Sequence, residues 1–347
     1  MNDYDRKVKS DSDLMTVLLA GDIGGTKTQL GVYDAETSPP TPLSVRCFKT
    51  LDFKELSPIV DTFLGDHRES VAAACFGVAG PVRDQSAQLT NVPWRVEADA
   101  LARRFNIPHV WLLNDLAATG YAVSALGDPQ LEVLQAGNPS PTGNAALIAP
   151  GTGLGEALLQ RVAGRYIPVP SEAGHADFAA RTSRELDFVR TLTPQRGRVS
   201  NEDVLTGPGL INLYRFVHVA STPECGVLTA SSAEDDAAAA IAASGIEGSC
   251  GLCVDALELF VSALGAEAGN LGLRSLATGG VYLAGGIPRK ILPALRTPTF
   301  LEAFNSKAPM LDVVRNIPVS VVTEPDTALL GAAIAAQQAL TDGGFDL

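Results

Sequence analysis

Five short stretches of this chain hold residue types able to do chemistry at close quarters. Two are glycine-rich bends, Gly21-Asp-Ile-Gly-Gly-Thr-Lys-Thr28 and Pro150-Gly-Thr-Gly-Leu-Gly155. Glycine lacks a Cβ, so such bends can aim several backbone N–H groups at one point and hold a phosphate without net positive charge. Thr26 and Thr152 add a hydroxyl donor to each bend. A single glycine bend is a weak signal, because most are only hairpin turns. Two in equivalent places of a repeated layout are a stronger one. Neither is a Walker loop, since Thr26 and not glycine precedes Lys27, and in the second bend the third glycine of a dinucleotide fingerprint is displaced. Asp22 serves either as an Asx-type turn residue or as a carboxylate beside a hydrated magnesium carried on nucleotide phosphates.

The other three stretches carry acids, an amide and a histidine. Asn114-Asp115 follows the apolar run Val110 to Leu113 and precedes Leu-Ala-Ala-Thr119, so the pair sits where a strand passes into a helix. Polar residues at the carboxyl end of a buried strand face the usual ligand crevice of an α/β sheet. Either residue can simply cap the helix. The functional alternative makes Asp115 the acceptor of a substrate hydroxyl proton, kept ionised by the helix N-terminus. Ser171-Glu-Ala-Gly-His175 contains one of only four histidines, and Glu202 stands just ahead of Val204-Leu-Thr-Gly-Pro-Gly209. Alone, His175 would more often be a packed or surface side chain. Together with Glu172 and Glu202 it forms a set suited to a neutral, hydroxyl-rich ligand, which needs many hydrogen-bond partners.

The elements that must position these residues alternate strand and helix. Val17 to Ala20 and Gln29 to Tyr33 form a hairpin around the first bend, and Val71 to Val78 and His109 to Leu113 are further strands, with a helix over Glu97 to Phe105. Ala145 to Ala149 and Glu156 to Gln160 repeat the hairpin around the second bend. Helices are expected near Pro208 to Val219, Glu234 to Ala243 and Leu252 to Leu273, then a strand Val281 to Ala284 ending in Gly285-Gly286, and a closing helix Ala328 to Leu340 after Glu324-Pro-Asp-Thr327. The class is α/β.

Composition bounds the rest. The chain has 347 residues, 46% of them hydrophobic and 19% charged, enough for a sizeable core in two domains or lobes. A net charge of −13 argues against nucleic acid and anionic membrane surfaces as partners. Five scattered cysteines do not describe a disulfide framework, which makes the cytoplasm the expected location. Cys250 and Cys253 lack a partner pair for zinc, so the thiols are expected to be buried helix residues and no metal site is expected. Met1 to Leu14 is polar and charged and reads as a loose tail, and no apolar stretch approaches the roughly 20 residues of a membrane span.

Ala20-Gly-Asp-Ile-Gly-Gly-Thr-Lys-Thr28, Leu113-Asn-Asp-Leu116, Ala149-Pro-Gly-Thr-Gly-Leu-Gly155, Ser171-Glu-Ala-Gly-His-Ala-Asp-Phe178, Asp203-Val-Leu-Thr-Gly-Pro-Gly-Leu210, Leu283-Ala-Gly-Gly-Ile287 and Ala328-Leu-Leu-Gly-Ala-Ala333 occur in the order seen in bacterial-type glucokinases. The ordered set resembles that family over nearly the whole chain. The resemblance implies a two-lobed actin-like, ribonuclease-H-like kinase fold with a cleft between lobes, where ATP and glucose meet. It also implies Asp115 as general base for the 6-hydroxyl, and Asn114, Glu172, His175 and Glu202 as glucose ligands. Asp22, Gly24, Gly25, Thr26, Gly151, Thr152 and Gly153 would serve the phosphates and their Mg²⁺, and Gly285 and Gly286 would border the adenosine. Two positions depart from the family pattern: Ala173 replaces a common glycine, and Lys27 stands where many glucokinases carry Asn, as in the broader repressor–kinase–open-reading-frame group.

The expected division is a tail of residues 1–14, a small α/β lobe of 15–114 plus 326–347, and a large α/β lobe of 115–325. A homodimer is the family-based expectation. Another hexose or an N-acetylated amino sugar as acceptor, ADP or polyphosphate as donor, and a non-catalytic sugar sensor are the alternatives open at this point.

Overall fold

The computed structural model describes residues 16–65, 71–218 and 234–342. The expected tail and Cys225 lie outside the described residues. Two compact units emerge: one holds residues up to Ala125 and from Asp326 onward, the other Leu126–Pro325.

In the first unit the order is β1 (Val17–Ile23), β2 (Lys27–Asp34), β3 (Thr41–Lys49), α1 (Ser57–Leu64), β4 (Val71–Val78), β5 (Val82–Arg83), β6 (Ser86–Gln88), β7 (Arg95–Glu97), α2 (Ala98–Phe105), β8 (His109–Asn114) and α3 (Asp115–Ala122). The main sheet runs β3-β2-β1-β4-β8, and β5, β6 and β7 form a small sheet of their own. β1 pairs antiparallel with β2 and parallel with β4, and it is apolar on both faces because it is central and covered on both. The small sheet is pinned to the large one where Leu112 N donates to Gln85 Oε1 at 2.8 Å.

The second unit contains β9 (Leu131–Gln135), β10 (Ala145–Pro150), β11 (Leu154–Val162), β12 (Arg165–Val169), α4 (Ser183–Arg196), α5 (Gly207–Val217), α6 (Glu234–Glu247), α7 (Gly251–Arg274), β13 (Gly280–Leu283), α8 (Gly286–Lys290), α9 (Leu292–Leu295), α10 (Pro298–Asn305), α11 (Leu311–Arg315) and β14 (Val319–Val322). Its sheet runs β12-β11-β10-β13-β14-β9. Two antiparallel steps followed by parallel ones reproduce the β3-β2-β1-β4-β8 arrangement, so the two glycine bends occupy equivalent positions in their own sheets. α7 is buried along most of its length against the core that includes Ile211, Leu213, Phe300 and Phe304. No single described helix is long and apolar enough to cross a membrane.

α12 (Thr327–Asp342) completes the first unit. It packs on α3 so closely that a Cβ on Gly331 would lie 1.7 Å from the Ala118 carbonyl oxygen. That contact, with Gly77 of β4 under Ala118, keeps α3 in the first unit. The division therefore falls after Ala125 and not before Asp115 as the sequence suggested. Of the pair expected to be buried helix residues, Cys253 is buried in α7 and Cys250 is its half-buried N-cap; Cys75 is buried in β4 and Cys47 is exposed on β3.

Candidate active site

In the first unit the strand-to-helix step after β8 sets the acid group. Asn114 is the N-cap of α3: its Oδ1 accepts from Leu116 N at 2.9 Å and its Nδ2 donates to Gly80 O at 3.3 Å. Asp115 Oδ1 accepts from the same Leu116 N–H at 2.8 Å. Burial pushes the Asp115 carboxyl above the ordinary carboxylate range, although the amides of Leu116 and Asp115 and the Asn114 side chain pull the other way. Desolvation outweighs these hydrogen bonds and makes Asp115 more basic than an ordinary carboxylate.

Asp22 is the next-to-last residue of β1, beside the first bend, and its carboxyl is pushed up to about 6, first by burial and then by the charge of Asp115, with Lys27 opposing and Asp326 adding. Lys27 Nζ stands 3.8 Å from Asp326 Oδ1. The bend is held from behind. Gly24 N donates to Lys27 O at 3.0 Å, Thr50 Oγ1 donates to Gly24 O at 2.8 Å, and Thr50 N donates to Thr26 O at 3.0 Å. The amides of Gly25 and Thr26 have no acceptor among the described residues. A side chain at Gly25 would strike Asn91, its Cβ only 2.4 Å from that of Asn91.

The second unit builds its part around one carboxylate. Glu202 Oε2 accepts from Leu154 N at 3.0 Å, immediately after the second bend, and Glu202 Oε1 stands 3.8 Å from His175 Nδ1. Glu202 N donates to Gly174 O at 2.8 Å, and Gly174 packs on Leu154, where a Cβ would come within 2.1 Å of the Leu154 oxygen. The bend and the Ser171 to His175 segment are thus joined through Glu202. Within the bend Gly151 N donates to Gly153 O at 2.8 Å, and the amides of Thr152 and Gly153 have no acceptor among the described residues. Arg198 Nη1 holds the His175 carbonyl at 2.8 Å. The Glu172 side chain is exposed. Gly285 has φ 86° and sits against the Pro150 carbonyl, leaving Gly286 to open α8.

The structure brings Asn114, Asp115, Asp22 and the first bend into one unit, and Glu172, His175, Glu202, the second bend, Gly285 and Gly286 into the other. Three groups escaped the sequence reading. Asp326 looked like a turn residue but bears on Asp22, Thr50 braces the first bend from an unassigned segment, and Arg198 braces the histidine. Spacing could have found none of them, because each acts on a residue from which whole strands or helices separate it along the chain. No group of three or more His, Cys, Asp or Glu able to hold a metal occurs among the described residues.

Comparison with known proteins supplies independent findings. The model of the family described as Glucokinase matches residues 19–339. A protein named Glucokinase from Nostoc punctiforme is 38% identical, with 93% of this chain and 99% of that one covered. Among solved structures, glucokinase from an Antarctic psychrotroph is 30% identical, with a TM-score of 0.81 over 93% of this chain and 99% of that one. A glucokinase from Streptomyces griseus, solved with glucose and AMPPNP, shares the fold with a TM-score of 0.61 at 21% identity, over 93% of this chain and 99% of that one.

Proposed function

The chain belongs to the glucokinase family, enzymes of two-lobed actin-like fold, and from that premise we propose that it transfers the γ-phosphoryl group of ATP to the 6-hydroxyl of glucose. Asp115 carries the proposal. It is half-buried at the carboxyl end of β8, it is oriented through Leu116 N, and its basicity is raised by desolvation. A carboxylate so placed accepts the hydroxyl proton as the sugar oxygen attacks phosphorus in line. Asn114, Glu172, His175 and Glu202 bind the other hydroxyls.

The unengaged amides of Gly25, Thr26, Thr152 and Gly153 suit phosphate oxygens, and the Thr26 and Thr152 hydroxyls add donors. Gly24 and Gly151 shape the two bends, while Gly285 and Gly286 leave room for the adenosine. Asp22 fits a role toward a hydrated Mg²⁺ brought on the nucleotide, since its single carboxylate suits a water-mediated contact better than a protein cage. When bound, Mg²⁺ neutralises charge that develops on the phosphates. Support for ATP over ADP or polyphosphate comes from the two separate sets of free amides and from the AMPPNP bound by the Streptomyces griseus enzyme.

The test is a coupled assay of ADP release with glucose, mannose and N-acetylated amino sugars on wild type and Asp115→Asn. Glucose is expected to have the highest kcat/KM, and the variant should lose about 10²- to 10⁴-fold in kcat while still binding glucose. Near-normal turnover in Asp115→Asn would overturn the role of Asp115. No turnover with any sugar in wild type would favour the sugar sensor.

A further inference from the structure

Glu156 takes no part in the chemistry above, yet its surroundings do not suit a carboxylate. It is buried on β11, and neither of its oxygens has a hydrogen-bond partner among the described residues. The cation paired with it among the described residues, Arg274 Nη1 at the end of α7, is 4.0 Å away and is already engaged with Glu267 Oε1 at 2.7 Å. Glu267 Oε2 accepts from Asn270 at 2.8 Å, and Asn270 Oδ1 accepts from Lys307 Nζ at 2.7 Å. A polar chain therefore runs along α7, satisfied everywhere except at its Glu156 end. Two buried carboxylates and one guanidinium cannot all be well paired, and the unpaired one is held at a cost.

The position of Glu156 on β11 gives that misfit a consequence. Two residues ahead, Leu154 N holds Glu202 at 3.0 Å, and the Glu156 carbonyl itself accepts from Ser171 Oγ at 2.7 Å, next to Glu172. A shift of β11 at Glu156 is thus felt by both sides of the sugar-binding set. We propose that Glu156 is a buried proton site that positions this set: protonated, it leaves the arrangement intact, and ionised, it is repelled by Glu267 and weakens sugar binding. The inference rests on the glucose reading above.

The electrostatics agree with the geometry. Burial, and then the charge of Glu267, pushes the Glu156 carboxyl up to about 7, with Arg274 acting against them. Those are the charged groups facing it from α7. Further along the chain Lys307, in the segment after α10, has its own pKa lowered by burial first and then by Arg181, with Glu267 opposing and Arg274 adding. From the Ser171 segment the group that reaches Glu156 is a neutral hydroxyl, and its partner on β10 is Ile148. The proton is exchanged with solvent, and nothing else is transferred.

Calorimetric titration of the full chain with glucose, without nucleotide, at pH 6, 7 and 8 tests this. Wild-type Kd is expected to rise about tenfold from pH 6 to 8, a size usual for linkage between two sites, with net proton uptake on binding near pH 7.5. Glu156→Gln should lose most of the rise and the uptake, since other titrating groups are common to both proteins. Glu267→Gln, which removes the repelling charge and frees Arg274, should shrink the rise and move what remains of it to lower pH. A flat wild-type profile, or the same rise in Glu156→Gln, overturns the proposal while leaving the glucose reading standing. Wild type that binds no glucose at any pH overturns both.

Discussion

Replacing Glu156 by Gln should make the protein more stable at neutral and alkaline pH, an unusual result for a buried substitution. An ordinary glutamate ionises near 4.5, whereas Glu156 is held to about 7 in the folded chain. A group whose folded pKa lies above its unfolded one contributes no penalty below the lower value. It then destabilises progressively as pH rises through the window, by about 1.4 kcal/mol per unit, and levels off above the higher value. For Glu156 the window runs from 4.5 to about 7, and the full penalty is on the order of 3 kcal/mol. Gln has the same shape and no charge, so the variant avoids that loss. The assay is denaturant unfolding of wild type and variant from pH 5 to pH 8. Their difference should swing toward the variant by about 3 kcal/mol, or by roughly 6 to 12 °C in Tm for a unit near 200 residues melting cooperatively. A difference that stays constant across that range would refute the reasoning, because it would mean that Glu156 ionises normally and is either wetted or neutralised by Arg274.

Gly331→Ala places a Cβ 1.7 Å from the Ala118 oxygen and must separate α12 from α3; overpacking of this kind costs about 1–3 kcal/mol or more, read as a lower Tm together with reduced kcat, since α3 begins at Asp115. Lys27→Met removes the cation that opposes the upward shift of Asp22. Asp22 then ionises at higher pH, and the acid limb of the kcat/KM profile should move from near 6 toward neutrality; an unmoved limb would show that Asp22 does not govern it. Gly174→Ala drives a Cβ to within 2.1 Å of the Leu154 oxygen and disturbs the Glu202 N to Gly174 O bond. Glucose KM should rise about tenfold, as expected for a loss of 1–3 kcal/mol, with a smaller change in KM for ATP.

The groups that were legible in the sequence are those whose chemistry is local. A glycine bend between two apolar runs announces itself, and so does Asn114-Asp115 at a strand-to-helix step, because turn and cap chemistry is written in adjacent residues. β3 was not legible: it is an edge strand, largely exposed, and Pro42 interrupts its pattern. β5, β6 and β7 have two or three residues each, and α8, α9 and α11 four or five, too short for any period to show. Glu156 is the instructive case. In Leu154-Gly-Glu-Ala-Leu-Leu-Gln160 it has the look of a solvent-facing strand residue, and its burial depends on α7, about a hundred residues later in the chain. The placement of α3 was hidden for the same reason, since its partner is the closing helix.

The acidity of the chain bears directly on how it can hold a polyphosphate. In the first unit the charges of Asp115 and Asp326 raise the cost of ionising Asp22, and Lys27, the cation acting on Asp22, stands beside Asp326. Bare phosphate charge near such a group would be repelled at close range, where Coulomb energies in partly buried surroundings reach several kcal/mol. On the proposed reading, phosphate is attracted in each unit by the two amides of its bend that have no acceptor among the described residues, and these are dipoles that lose strength quickly with distance. Dipoles grip a phosphate oxygen locally without cancelling its net charge, so the cancellation has to travel with the nucleotide, as Mg²⁺ does. Under the ATP reading proposed above, the carboxylates that would repel the naked nucleotide would favour its magnesium complex, and a protein of net charge −13 needs no basic patch to be a kinase.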